Sequence, residues 1–187
     1  MFRDLLLKDR SIRRYKQDHK VSKETLLELV DMGRLSSSGG NRQPLKYMLS
    51  WEGERNALVF KHIGLAGPPK DGERPSAYII ILMDTQLGGY GGSGVDHGIA
   101  AHSILLGATE MGLGGCMIGM VNRKGLQQAL KIPERYEILL VISIGKPDEK
   151  FVLVDVEEKD TVNTRGWWDE QGMRYVPKRK MADIIVE

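Results

Sequence analysis

Four short stretches of this chain carry residue types that can bind a ligand. In RSIRRY, Arg10, Ser11 and Arg13 place two guanidinium groups and a hydroxyl close together, and planar guanidinium forks match phosphate oxygens bidentately. Far along the chain, VPKRK sets Lys178 and Arg179 behind Pro177, which fixes the chain direction. RLSSSGGNRQPLKY (34–47) runs from serines that include Ser38, through two glycines, into the amides Asn41 and Gln43 and then Pro44. Amides offer donors and acceptors together, which suits the polar edge of a heterocycle. The fourth stretch, the corner GLGGC (112–116), bares backbone N–H groups at Gly114 and Gly115, so a flat ring could lie on it. Taken singly, each has a plainer reading: a solvated basic face, a capped turn, a helix stop.

Other chemistries lack their residues. The chain contains no GxxxxGK[ST] loop, no GxGxxG after a strand, no HExxH and no paired CxxC, so neither a phosphate loop nor a built-in metal site is expected. His97 and His102 stand five apart and do not share a helix face. Cys116 follows a helix C-terminus, the wrong end of the dipole to activate a thiol, and reads as buried and inert. A net charge of +2 is too balanced for a nucleic-acid binder. AYIIILM is far short of the roughly 20 apolar residues that span a bilayer. MFRDLLLKDR interleaves charge with leucine, which predicts no leader, and a single cysteine fits a reducing cytoplasm. Twenty-two glycines among 187 residues exceed the average of about 7%, which points to close backbone approach.

The elements that must position these residues follow from pattern. FRDLLLK predicts a short opening helix, and Ser22 caps a second over KETLLELVDMGRL, with Leu26, Leu29, Val30 and Gly33 on one stripe. KYMLSWE reads as a strand and ERNALVFKHI as a helix, followed by a Gly/Pro loop over 64–75. AYIIILMD and YEILLVISIG are apolar on both faces and read as central strands. TQLGGYGGSG (85–94) is expected to be a mobile loop. VDHGIAAHSILLGATEMGLGG predicts a buried central helix stopped by Gly112 in a Schellman turn. CMIGMV reads as a short strand, RKGLQQAL as a small helix and FVLVDVE as a strand. The polar chain from Trp167 and Trp168 onward is expected to be an extended tail ending in a short helix. Together these predict one α+β domain over 1–187, a sheet-and-helix sandwich with roughly 151–187 as an arm.

In this order, RSIRRY, SSSGGNRQPLKY, DHGIAAHSILLGATEMGLGGCMIG, ISIGKPDE and VPKR resemble the nitroreductase family of FMN-dependent oxidoreductases, most closely its short members with GERPSAYIIILMD. The resemblance implies a sandwich with a central mixed or antiparallel sheet, a homodimer with flavin at the interface, and an extended C-terminal tail. It implies that Arg10, Ser11 and Arg13 hold the FMN phosphate, joined by Lys178 and Arg179. Ser38, Asn41 and Gln43 would line the isoalloxazine and ribityl region of the partner's flavin, and Gly114 and Gly115 would face flavin N5 and O4. The implied reaction is ping-pong hydride transfer from NADH or NADPH through flavin N5 to a nitroaromatic or quinone, with no catalytic side chain. The alternatives are another reaction on the same fold, such as reductive dehalogenation or flavin modification, and a flavin-binding module without turnover. The chain departs from the family pattern at Ser37, where proline is frequent, at Leu45, where tryptophan is common, and at His102, where an amide is more usual. Its segment before VPKR is also long.

Overall fold

Burial on both faces is what makes β2 (Ala77–Asp84) the centre of the sheet. A computed structural model describes residues 1–65, 67–87, 94–157 and 163–186; residues 88–93 of the loop expected over 85–94 lie outside the described residues. β1 (Leu45–Ser50) and β4 (Tyr136–Gly145) flank β2, and β3 (Gly114–Ile118) pairs with the far side of β4. The order β1-β2-β4-β3 is antiparallel throughout.

The helices cover both faces. α2 (Lys23–Arg34) and α4 (Asp96–Glu110) bury Leu26, Leu29, Ala101, Ile104 and Ala108 against Ile79, Ile81, Ile142 and Ile144. α3 (Gly53–Lys61) and α5 (Arg123–Ala129) bring Val59 and Leu126 onto Tyr78, Ile80, Leu82 and Val141 of the opposite face. A bulge lets one strand serve both. Ile81 faces Leu140 but Leu82 faces Ile138, so Leu139 is the extra residue and the alternation of β4 shifts by one. Leu140 thereby joins the first core and Ile138 the second.

Local signals set the ends. Ser22 Oγ accepts from Thr25 N at 3.1 Å, a cap that contributes about 1 kcal/mol. Asn122 caps α5 through Gly125 N at 3.0 Å. At the end of α4, Gly112 adopts φ 69°. Leu113 N then reaches Ala108 O at 2.7 Å and Gly112 N reaches Thr109 O at 3.0 Å, which is the expected Schellman turn. α4 nevertheless keeps an outer stripe, with Ile99 and His102 exposed, where the sequence predicted little room for one. α1 (Phe2–Lys8) buries none of its residues within the chain.

The chain divides into two compact units, Met1–Pro147 and Asp148–Glu187. Within the second, β5 (Lys150–Val156), β6 (Trp167–Trp168) and β7 (Met173–Arg179) form a sheet of order β5-β7-β6, where the sequence led us to expect an extended tail after β5. The turn 169–172 accounts for the difference. Asp169 Oδ1 accepts from Gln171 N at 2.9 Å and Met173 N at 2.8 Å, and Gly172 takes φ 76°. Folding back stacks Trp167 on Tyr175 with centroids 5.2 Å apart. In place of a final helix there is only a 3-10 turn, Met181–Asp183.

Two outcomes follow from this packing. Leu26→Ala, at a fully buried position, costs about 2–5 kcal/mol in denaturant unfolding, while exposed Glu28→Ala stays within about 0.5 kcal/mol. Arg135 donates to both oxygens of Asp84, at 2.8 and 2.7 Å, and holds its carboxyl below the ordinary 3.8. That pair contributes fully above the ordinary value, and its contribution is lost as pH falls through the depressed one. Asp84→Asn therefore lowers stability at neutral pH and flattens the acid limb of a stability–pH profile.

Candidate functional site

The basic trio is fixed by the segment that carries it. Ile12 N donates to Gly115 O at 2.8 Å and Ser11 bridges Gly115 in parallel, so residues 10–12 lie along the open edge of β3. Tyr15, 1% exposed, locks this docking: its hydroxyl bonds Ser143 Oγ at 2.8 Å and also donates to Ile12 O. Lys16 N reaches Lys146 O at 2.9 Å. Arg10 Nη1 donates to Leu6 O at 2.9 Å and to Asp9 O, closing the end of α1. Burial lowers the Arg10 pKa, and the neighbouring Asp9 carboxylate opposes the shift. Burial also pushes the Asp9 carboxyl up against the pull of His102, Arg10 and Thr109. Arg13 Nη1 meets Ser11 O at 3.4 Å, whereas Arg14 Nε turns to Glu73 at 3.6 Å.

The serine–amide stretch is a built turn, not a linker. Asp96, 2% exposed at the start of α4, accepts from Ser38 Oγ at 2.7 Å and Gly39 N at 3.1 Å. Ser38 Oγ in turn accepts from Gln43 N at 3.0 Å. Ser36 Oγ donates to Ser103 Oγ at 2.7 Å, a second tether to α4. Gly40, Asn41 and Gln43 hold φ 58°, 53° and 51°, and Asn41 and Gln43 are exposed. A left-handed glutamine before a proline costs of order 1–3 kcal/mol, which its surroundings must offset. Beside the turn opens a cavity of about 400 Å³, lined by Gly33, Ser36, Ser38, Gln43, Tyr47 and Asp96 among others, within the range of small-molecule pockets.

The two groups are not brought together within one chain. Pro44 O takes Asp84 N at 2.9 Å, which puts the turn at the Asp84 end of β2 on the β1 edge. Ser11 lies beyond β3, level with Ile144 and Ala77. They are separated by four strand spacings, about 19 Å, and by the length of β2, about 24 Å. α4 repeats the measure: Asp96 holds the turn, while Thr109 bonds Asp9 at 3.5 Å, about 20 Å along the helix.

Gly114 and Gly115 require a correction. The expected open corner is buried within β3, with Gly114 paired to Gly145 and Gly115 bridged to Ser11. A Cβ on Gly115 would stand 2.2 Å from Ser143 O, so the small residue admits the protein's own backbone. After β3, Gly119 and Met120 are exposed. Lys178 and Arg179 end β7 in the second unit, opposite Asp155 and Val156 of β5. Cys116 is buried, and among the described residues no group of His, Cys, Asp and Glu could hold a metal. No described helix is long and apolar enough to cross a membrane. Sequence reading missed Asp96 and Tyr15. An aspartate opening an apolar helix is already explained by the dipole, so it gave no hint of a partner loop.

Two guanidinium groups and a hydroxyl held on a rigid edge fit a phosphate, and exposed amides beside a cavity fit the polar rim of a heterocycle. Among solved structures, an FMN-dependent nitroreductase from Clostridium difficile R20291 is 30% identical over 78% of this chain and 87% of that one, with TM-score 0.66. A nitroreductase family protein from Streptococcus pneumoniae TIGR4 shares the fold, with TM-score 0.71 over 80% of this chain and 92% of that one at 20% identity. Among curated proteins, 5,6-dimethylbenzimidazole synthase of Rhodospirillum rubrum is 22% identical over 175 residues, 79% of this chain and 82% of that protein. The Nitroreductase family matches residues 7–63 and 70–146, a span holding both the docked basic trio and the Asp96-held turn, and the chain therefore belongs to the nitroreductase family.

Proposed function

We propose that this chain is an FMN-dependent oxidoreductase that carries hydride from NADH or NADPH to an electron-poor acceptor such as a nitroaromatic or quinone. We further propose that it works as a cytoplasmic homodimer with flavin at the interface. The observation that carries the reading is the separation of a phosphate-type cluster from an amide wall at opposite corners of one sheet. A second copy supplies the missing half to each. The Clostridium difficile relative, by its name FMN-dependent, supports the choice of cofactor.

Bound FMN would supply the acceptance and release of hydride. Arg10, Ser11 and Arg13 hold its phosphate, with Lys178 and Arg179 of the second unit as the proposed additional basic group. Tyr15 keeps the backbone of the trio on the β3 edge, so that segment needs no ordering on binding. Ser38, Asn41 and Gln43 of the neighbouring protomer bound the ring and ribityl region. Asn41 and Gln43 orient polar ring atoms, and the turn that carries them excludes water from that edge. Positive charge from the trio favours an anionic ligand and any negative charge that develops on it. No side chain serves as nucleophile.

A second reading, modification of the flavin itself, is favoured by the curated relative, whose name is that of a synthase. Chromatography of the flavin after aerobic incubation with NADH separates the two: intact FMN keeps the reductase reading, and consumed FMN favours the other.

Purified protein is expected to be yellow or to become so with FMN, and to oxidise NADH or NADPH when menadione or a nitroarene is added. A protein that binds no FMN contradicts the reading. Arg13→Ala weakens FMN binding by about 10- to 100-fold, the value of hydrogen bonds to a charged group. Arg14→Ala, whose side chain is committed to Glu73, changes it by less than about threefold. Equal losses in a fluorescence titration would mean a diffuse basic patch.

A further inference from the structure

We propose that Asp96 is the positioning residue of the flavin wall: its carboxylate sets the Ser38–Gln43 turn into the one conformation that presents Asn41 and Gln43. This rests on the flavin reading above.

Three observations converge. Asp96 is 2% exposed, and its oxygens take two donors from one turn, Ser38 Oγ at 2.7 Å and Gly39 N at 3.1 Å. The turn concentrates positive φ at Gly40, Asn41 and Gln43, and of the described non-glycine residues only Lys131 shares that region. Ser38 Oγ also accepts from Gln43 N at 3.0 Å, so the carboxylate reaches Gln43 through a single hydroxyl.

The chemistry demands a carboxylate. An ionised Asp is acceptor-only, so it accepts the Ser38 O–H hydrogen bond and leaves a hydroxyl lone pair toward Gln43 N–H. An Asn of the same shape brings an NH₂ group. With its oxygen kept on Gly39 N–H, that NH₂ donates to Ser38 Oγ, whose own proton must turn away, so the charge-assisted bond that fixes the hydroxyl is lost; the opposite turn sets the NH₂ against Gly39 N–H. Asp96 also opens a fifteen-residue helix, whose N-terminal dipole supports the negative charge. Through α4 the charge that shapes the wall is rigidly tied to Thr109 and Asp9 beside Arg10, so the wall keeps its place relative to the chain's own basic trio.

The test follows amide hydrogen exchange, FMN titration and the steady-state split between kcat and KM in the purified full-length protein. In Asp96→Asn the Gly39 and Gln43 amides exchange at least about tenfold faster while those of β2 and β4 keep their protection. FMN binding weakens about tenfold or more, and the bound-flavin absorbance shifts. Ser38→Thr, which keeps the hydroxyl, retains the protection of the Gln43 amide. Should Asp96→Asn fail to fold, Ser38→Ala carries the test, losing Gln43 protection and FMN affinity together. Unchanged exchange at Gly39 and Gln43 overturns the proposal, as does faster exchange with unchanged FMN affinity and absorbance. A wild-type protein that binds no FMN overturns the flavin reading instead, and the exchange arm still decides whether Asp96 sets the turn.

Discussion

α4 works as a ruler. One end grips the serine turn through Asp96, and the other end, through Thr109, meets Asp9 next to the basic trio. Because the helix is buried along Ala100, Ala101, Ile104, Leu105 and Ala108, neither end can move without opening the larger core. The register of β1, β2, β4 and β3 imposes the same separation from the other side. Two rigid elements therefore hold the basic trio and the serine–amide turn apart within one chain.

Small residues and one tyrosine make this arrangement possible. Ile12 can lie along β3 because Gly114 carries no side chain, where a Cβ would stand 2.8 Å from Ile12 Cγ1, and Gly115 lets β3 close on the Ser143 carbonyl of β4. Gly145 leaves room for the Tyr15 ring, whose hydroxyl then finds Ser143 in the interior. The N-terminal segment is thus anchored by backbone bonds, a buried aromatic ring and a buried hydrogen bond. The backbone that carries Arg10 and Arg13 is thereby held in one place.

Much of the fold was legible because its strongest signals are local. β2 and β4 match the apolar runs AYIIILMD and YEILLVISIG residue for residue, and Ser22, Gly112 and the end of α4 carry their caps in the sequence. The site was legible by residue type but not by connection. A run of serines and glycines gives no sign that a carboxylate more than fifty positions later orders it. Glycine announces close approach without saying to what, so Gly114 and Gly115 looked open to a ligand when the neighbour is the chain's own β4 and N-terminal segment. In the second unit, DEQG carried a turn signal that the two preceding tryptophans obscured, and the strand pairing it permits is non-local.

The measurement that reaches the central claim is complementation between two defective chains. One carries Arg13→Ala, damaging the phosphate cluster; the other carries Asn41→Ala with Gln43→Ala, damaging the wall. Tag-selected mixed dimers are titrated with FMN beside each parent homodimer. If cluster and wall of one site come from different protomers, the mixed dimer holds one intact site and recovers about half of the wild-type stoichiometry at wild-type affinity. A mixed dimer whose two sites are both as weak as those of its parents would place cluster and wall of each site in the same chain and contradict the account.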